Sequence, residues 1–213
     1  MIPLMNKIHM ALLTTAYLPP VDYFRVIARA DKWEIEQWEK YQKQSYRSRC
    51  HILSANGPLS LSIPVDRSGG HSVPIKSIKV DNSVNWQKTH WGAIVSAYQS
   101  SPFFEYYKED FRPFYENKAD TLFDFNTALT KLILESIGLP SEISFTESFI
   151  ADNKVGDFRF SIHPKFKSPF EEENKKGRYH QVFAHKFDFK ENLSAIDLLF
   201  NEGPESLRYL LID

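Results

Sequence analysis

Residues 8–30 read IHMALLTTAYLPPVDYFRVIARA, and this run decides the fold class. Ile8 to Thr15 is a short apolar stretch that ends before Pro19-Pro20, whose rings cannot continue a β ladder. Beyond the prolines, Val21, Phe24, Ile27 and Ala28 recur at helical spacing, so a helix follows directly over 21–30. A strand, a proline turn and a helix at the start are the signature of an α/β layer. The expected fold is therefore α/β: a mixed sheet with an N-terminal strand–helix unit, a β-hairpin around Asn56-Gly57 and a helical middle segment.

Outward from that unit, Trp33, Ile35 and Gln37 alternate with Glu34, Glu36 and Trp38, which predicts a second strand. Asn56-Gly57 sits between His51–Ala55 and Pro58–Val65, and Leu59, Leu61 and Ile63 alternate with Ser60 and Ser62. That pattern predicts a hairpin with one wet face. Ile75, Ile78 and Val80 suggest another strand after a loop from Asp66 to Val73. A helix carrying Trp86, His90, Trp91, Ile94, Val95 and Tyr98 follows, with Asp81, Asn82 or Ser83 as its cap. Pro102 opens a second helix with Phe103, Phe104, Tyr107, Phe111, Phe114 and Tyr115, and a third runs from about Phe125 to Ile137 until Gly138 and Pro140 stop it. Strands are expected over Glu142–Phe149 and Tyr179–Phe183, with an irregular excursion over 151–178 between them. Ser194 caps a helix broken at Gly203-Pro204, and Glu205–Ile212 forms a short terminal helix. Length favours one domain over 1–213.

Lys and Arg number 26 against 27 Asp and Glu, so the near-neutral charge argues against a general nucleic-acid or anionic-membrane binder. No stretch approaches the roughly 20 apolar residues that span a bilayer. The N-terminal MIPLMNKIHMALLTTAYLPP resembles a signal peptide only weakly, because its apolar run is short and interrupted by His9, Thr14 and Thr15. A cytoplasmic location is expected. Cys50 is the single cysteine, so no intrachain disulfide can form, and its neighbours Ile52 and Leu53 mark it as a buried structural thiol. The compositional excess is aromatic: 17 Phe, 10 Tyr and 4 Trp. Most must pack the core; the Tyr and Trp of residues 31–53 either join it or line a site.

Familiar catalytic machinery is missing from the string. No GxGxxG, GxxxxGK or GxSxG pattern occurs, and no His pair or Cys cluster has metal spacing. No metal site is expected, and the cofactor, like the oligomeric state, is unknown from sequence. What remains is DKWEIEQWEKYQKQSYRSRCHIL, residues 31–53, with Lys43, Gln44, Tyr46, Arg47 and Arg49 where a connector enters the hairpin. Placed on one strand face, Arg47 and Arg49 either clamp a carboxylate or phosphate or stand as solvated surface arginines. His90 among Trp86, Trp91 and Ile94 is either a satisfied core-edge histidine or a general base, and Glu36 is the second candidate base. Asp124 reads as a helix cap, with Asn126 beside it. His180 and Gln181 are polar residues entering an apolar segment.

Several ordered strings resemble the WbqC-like family: TTAYLPPVDYF, DKWEIEQWEKYQKQSYRSRCHI, NWQKTHWGAIVSAYQSSPFFEYY, LFDFN and AIDLLFNEGPES. Together they cover nearly the whole chain and look most like the short Bacteroidetes-type form. The resemblance implies a bacterial protein of the kind encoded with O-antigen or surface-polysaccharide genes, and a glycine or aminoacyl transferase role. Family positions carry over to Pro19, Tyr23 and Phe24; to Lys43, Gln44, Tyr46, Arg47, Ser48 and Arg49; to Trp86 and His90; to Asp124 and Asn126; and to Asp197–Asn201. Two positions depart from the family pattern. Thr14-Thr15 stands where many members have Gln-Pro, and Gln37-Trp38-Glu39-Lys40 replaces an Asp-Asp-x-Gln cluster.

The expected function is transfer of a small acyl or aminoacyl group, with His90 or Glu36 as base. Tyr17, Tyr23, Lys43, Gln44, Tyr46, Arg47, Arg49, Asp124, Asn126, His180 and Gln181 are the candidate binding residues. The expected partner is a small molecule, such as a nucleotide-sugar or an activated amino acid. The alternative is a non-catalytic ligand-binding or scaffolding protein that uses its aromatic and polar surface.

Overall fold

A computed structural model of the chain describes residues 8–66, 73–151 and 156–212. The expected loop over 66–73 and the residues Asn153 and Lys154 fall largely outside them. In chain order the elements are β1 (Ile8–Thr14), α1 (Val21–Arg29), β2 (Ala30–Glu36), β3 (Arg49–Ser54) and β4 (Gly57–Ser62), then α2 (Trp86–Tyr98), α3 (Phe104–Glu116) and α4 (Leu122–Ile137). They continue with β5 (Ser144–Phe145), α5 (Glu171–Lys176), α6 (Ala184–Phe187), α7 (Ala195–Glu202) and α8 (Ser206–Leu210).

The class is α/β. β1, β2 and β5 form a parallel sheet in which β2 is central, and β3 pairs with β4 as an antiparallel hairpin in a separate sheet. Parallel neighbours need a crossover, and α1 supplies it. β1 ends at Thr14, short of Pro19-Pro20; Pro20 stands at the N-cap of α1, which buries Val21, Tyr23, Phe24, Val26 and Ile27. β1 gains a second parallel neighbour through the bridge Leu12–Asp157: Leu12 N–H donates to Gly156 O at 2.8 Å and Phe158 N–H to Leu12 O at 2.9 Å. Gly156 is what allows this approach. It sits at φ +79°, and a Cβ there would lie 1.9 Å from Met10 O.

The hairpin turn places Gly57 at φ +107°, as the Asn-Gly signal requires. α4 ends on Gly138 in the left-handed region, with Leu139 N–H closing onto Leu134 O at 2.9 Å, so the glycine stop works as expected. α7 is buried along nearly its whole length, and Phe200 meets the rings of Tyr98, Phe104 and Phe111. That ring cluster accounts for much of the aromatic excess.

Four local expectations are corrected. Ile75–Val80 is a single 3₁₀ turn over Ile75–Ser77 with isolated bridges at Lys79 and Val80, because Ile75 N–H is drawn to Glu39 O at 2.7 Å. The strand expected over Glu142–Phe149 contracts to two residues. Tyr179–Phe183 is not a strand: the Gln181 side chain takes the place of a ladder partner, donating to Lys190 O and accepting from Lys190 N–H, both at 2.9 Å. Asn85 occupies the N-cap position of α2, two to four residues past the expected caps, and Asp81 instead accepts from Ser83 N–H.

Candidate functional site

Because β1, β2, β5 and the Asp157 bridge all run parallel, their C-terminal ends meet at one edge, where open α/β sheets bind ligands. That edge carries Thr14, Glu36, Thr146 and Arg159, followed by the connector Gln37–Ser48. Burying so many ionisable groups costs several kcal/mol per ion unless each is paired. Here each is. Glu36 is fully buried; it accepts from Trp38 N–H (2.8 Å), Thr146 Oγ1 (2.9 Å) and Ile150 N–H (2.8 Å), and lies 3.6 Å from Arg159 Nη1. Glu39 accepts from Thr14 Oγ1 at 2.6 Å, from Arg47 Nε at 2.8 Å and from Arg47 Nη2 at 2.5 Å. Arg159 grips Asp157 through Nε (3.0 Å) and Nη2 (2.6 Å) and gives Nη1 to Ile150 O.

Above this cluster lies a hollow of about 390 Å³ lined by Trp38, Glu39, Lys40, Gln42, Phe149 and Arg159, with Ala151 and Phe160 completing it. Phe149 and Phe160 are each about half exposed, with the Arg159 guanidinium beneath both rings. The floor is polar and the walls are flat and apolar, which is the usual make-up of a small-molecule site.

Arg47 does not share a strand face with Arg49. It precedes β3, is buried, and spends its guanidinium on Glu39 and on Gln42 Oε1, so it is no open anion clamp. The strand stops short because the chain turns through Ser45–Ser48, where Tyr46 O takes Tyr17 N–H and Ser48 O takes Ile63 N–H, each at 2.8 Å. Arg49 reaches Ser62 Oγ at the hairpin surface instead. Gln44, held at φ +58°, is exposed and accepts from Lys165 Nζ at 2.5 Å; Lys43 beside it is exposed too. Tyr46 is buried, with its hydroxyl pushed well up by burial. Tyr23 is buried as well, donating to Thr14 O at 2.9 Å.

His90 lies elsewhere. Its Nδ1 meets Tyr17 Oη at 2.9 Å, Tyr17 Oη meets Tyr115 Oη at 3.1 Å, and the imidazole packs against Tyr17 and Trp86. Burial pushes its pKa down to about 4, against a smaller opposing pull from the Ser62 carbonyl. It lines a shallower hollow with Ser62, Trp86 and Thr89, and Glu36 has no part in that hollow. Asn126 is fully buried and ties Thr15 Oγ1 to Arg47 O, which fixes the back of the connector. Asp124 is exposed; the cap of α4 is Thr121, whose Oγ1 accepts from Asp124 N–H at 3.1 Å. His180 is exposed, whereas Gln181 and Tyr179 are buried and donate to Asp197 Oδ2 at 2.8 and 2.7 Å. Burial raises Asp197 to about 6, against the lowering effect of those bonds. Cys50 is buried and its thiol is pushed well up, as expected of a structural cysteine.

Arg159, Asp157, Thr146 and Phe149 escaped sequence reasoning, since nothing local marks them. Glu39 was visible only as one acid among three.

No solved structure matches the chain. The uncharacterized protein Rv1507c of Mycobacterium tuberculosis (strain ATCC 25618 / H37Rv) is 24% identical over 223 residues, covering 94% of this chain and 96% of that one. The model of the WbqC-like protein family matches residues 15–168, a span that holds the connector, the hairpin, α2 to α4 and Arg159 but stops before the Asp197–Asn201 string. Through that match, the chain belongs to the WbqC-like protein family.

Proposed function

We propose that this protein transfers a small acyl or aminoacyl group in the assembly of a surface polysaccharide, in the cytoplasm, and that the hollow above Glu39 and Arg159 holds the group being transferred. The observation that carries the reading is a buried, mutually neutralised carboxylate–guanidinium floor under aromatic walls at the C-terminal strand edge. An amino acid presents an ammonium and a carboxyl group a few ångströms apart. Glu39 offers an acceptor to the first, and the unspent Arg159 N–H together with Lys40 offers donors to the second. Gln42 adds a neutral amide at the rim, and the rings flank the opening. His90 and Glu36, the bases expected from sequence, are both enclosed by their own partners; Tyr17, Tyr23, Tyr46 and Asn126 shape the walls behind the connector.

A second reading, recognition without chemistry, draws support from the same pairing, because every acid and base on the floor already has a partner. One experiment separates the two. A panel of amino acids is screened by thermal shift, since a ligand that binds only the folded state raises its stability. The leading hit is then assayed for transfer from an activated ester to an amino or hydroxyl acceptor. Stabilisation lost in Glu39→Gln and Arg159→Gln, with turnover, supports the transferase; the same stabilisation without turnover supports the binder. No stabilisation by any amino acid overturns the proposed site.

A further inference from the structure

Trp38, Phe149 and Phe160 all line the hollow at the strand edge, and its floor fixes the chain that carries each ring. Glu36, fully buried, accepts Trp38 N–H on Oε1 and Ile150 N–H on Oε2, both at 2.8 Å. One carboxylate thus sets the backbone next to two of the rings. Ile150 O accepts from Arg159 Nη1 at 2.7 Å, which pins the residue after Phe149 a second time. The Trp38 indole N–H donates to Thr146 O at 3.0 Å, and the Lys76 ammonium covers one indole face. Phe160 follows Arg159 directly, and the guanidinium lies 5.9 Å from the Phe149 centroid and 5.5 Å from the Phe160 centroid. Despite these ties, Phe149 and Phe160 remain about half exposed. Covering a phenylalanine ring is among the larger gains open to a side chain, and here that gain is left to a ligand.

Size and charge narrow what covers them. A hollow of about 390 Å³, at roughly 30 Å³ per water-sized atom, holds about a dozen non-hydrogen atoms, the size of phenylalanine and more than twice that of glycine. Among the described residues at this edge, the acids Glu36, Glu39 and Asp157 stand against the bases Arg47, Arg159 and Lys40. A balanced floor suits a zwitterion whose side chain brings no further charge, since a charge left unpaired against apolar rings is costly. Flat rings favour a flat partner, through offset or edge-to-face contact. We propose that Phe149 and Phe160, with Trp38, are specificity-determining residues that select an α-amino acid with an aromatic side chain. The side chain lies against these rings while the head group meets Glu39 and Arg159. This selectivity rests on the amino-acid reading proposed above and adds the side-chain class to it.

The test is a calorimetric titration of the intact protein with phenylalanine, leucine, glutamate and glycine. Phenylalanine is expected to bind at least about tenfold more tightly than glycine, because its ring is removed from water. Leucine, apolar but not flat, should fall between the two, and glutamate should bind more weakly than phenylalanine. Phe149→Ala and Phe160→Ala should each cut the ratio of phenylalanine to glycine affinity about threefold to tenfold. A purely structural role for the rings would weaken every ligand alike and leave that ratio unmoved. Both rings are half exposed, so both variants should melt close to the wild type. Glycine, leucine or glutamate binding as tightly as phenylalanine overturns the inference, as does a ratio unchanged in both ring variants. If glycine binds in a manner that Glu39→Gln and Arg159→Gln abolish, while phenylalanine gains nothing over it, only the side-chain class is wrong. If no amino acid binds, the proposed function falls with it.

Discussion

Replacing Arg47 by methionine tests the buried pair on which the connector is built. Arg47 is 1% exposed and donates three hydrogen bonds, two to the Glu39 carboxylate and one to the neutral Gln42 Oε1 at 3.3 Å. Methionine keeps most of the apolar stem and removes the fork. Glu39 then stays buried with the Thr14 hydroxyl as its one remaining hydrogen bond. Breaking a buried pair by removing one partner costs about 3–5 kcal/mol, mostly the penalty of the stranded charge. In a chain of this length each kcal/mol moves the melting temperature by roughly 2–4 °C, so Arg47→Met should lower it by about 6–20 °C. Because the loss comes from the stranded carboxylate, Glu39→Gln added to Arg47→Met should recover roughly 1–3 kcal/mol, a coupling of the size seen for contacting residues. Urea unfolding with a constant m value reads both effects as midpoint shifts. A cost below about 1 kcal/mol, the size of an exposed pair, would refute the reasoning, as would strictly additive single losses.

Gly156→Ala should destabilise by at least about 1–3 kcal/mol from its left-handed backbone alone, and further because its methyl meets Met10 O; thermal melting checks this. His90→Gln should reduce acid sensitivity. A histidine whose folded value is about 4 against an ordinary 6.5 contributes stability that is present above 6.5 and lost as pH falls toward 4, about 3 kcal/mol in all, read from denaturant midpoints against pH. Asp197→Asn should act with the opposite sign. A carboxyl raised from 3.8 to about 6 holds its proton longer in the folded state, so stability falls as pH climbs from about 4 through 6, and the asparagine variant should lose that slope, again about 3 kcal/mol. Between pH 4 and 6 the two slopes oppose each other in the wild type, so each single variant should show a steeper profile there than the parent.

Elements whose cause is local were legible in the sequence. Pro19-Pro20, Asn56-Gly57, Gly138 and the apolar spacing of α1, α2, α3 and α4 act through dihedral limits and amphipathic burial, which a string displays. Elements that depend on a distant partner were not. Ile75–Ser77 looks like a strand until Glu39 O captures its backbone, and the apolar run at Tyr179 is held by one glutamine side chain. The site divides in the same way. The connector was singled out by its polar and aromatic crowding, and it does lie at the strand edge. Arg47 was misplaced because alternation was extended two residues too far, across a turn in which Tyr46 O accepts Tyr17 N–H, whereas Arg49 does open β3. Arg159 was invisible because a parallel bridge, with no sequence signature of its own, carries it to Glu36 from more than a hundred residues away.

The central claim is that ligand enters the hollow at the C-terminal strand edge and not the one beside His90. Trp38 lines the first and Trp86 the second, so their indole N–H resonances report the two places separately. The decisive measurement is a nitrogen–proton spectrum of the four indoles, assigned by Trp38→Phe and Trp86→Phe, during titration with phenylalanine and with glycine. The Trp38 signal is expected to move and saturate while the Trp86 signal stays. Saturable movement of Trp86 with Trp38 unchanged would contradict it.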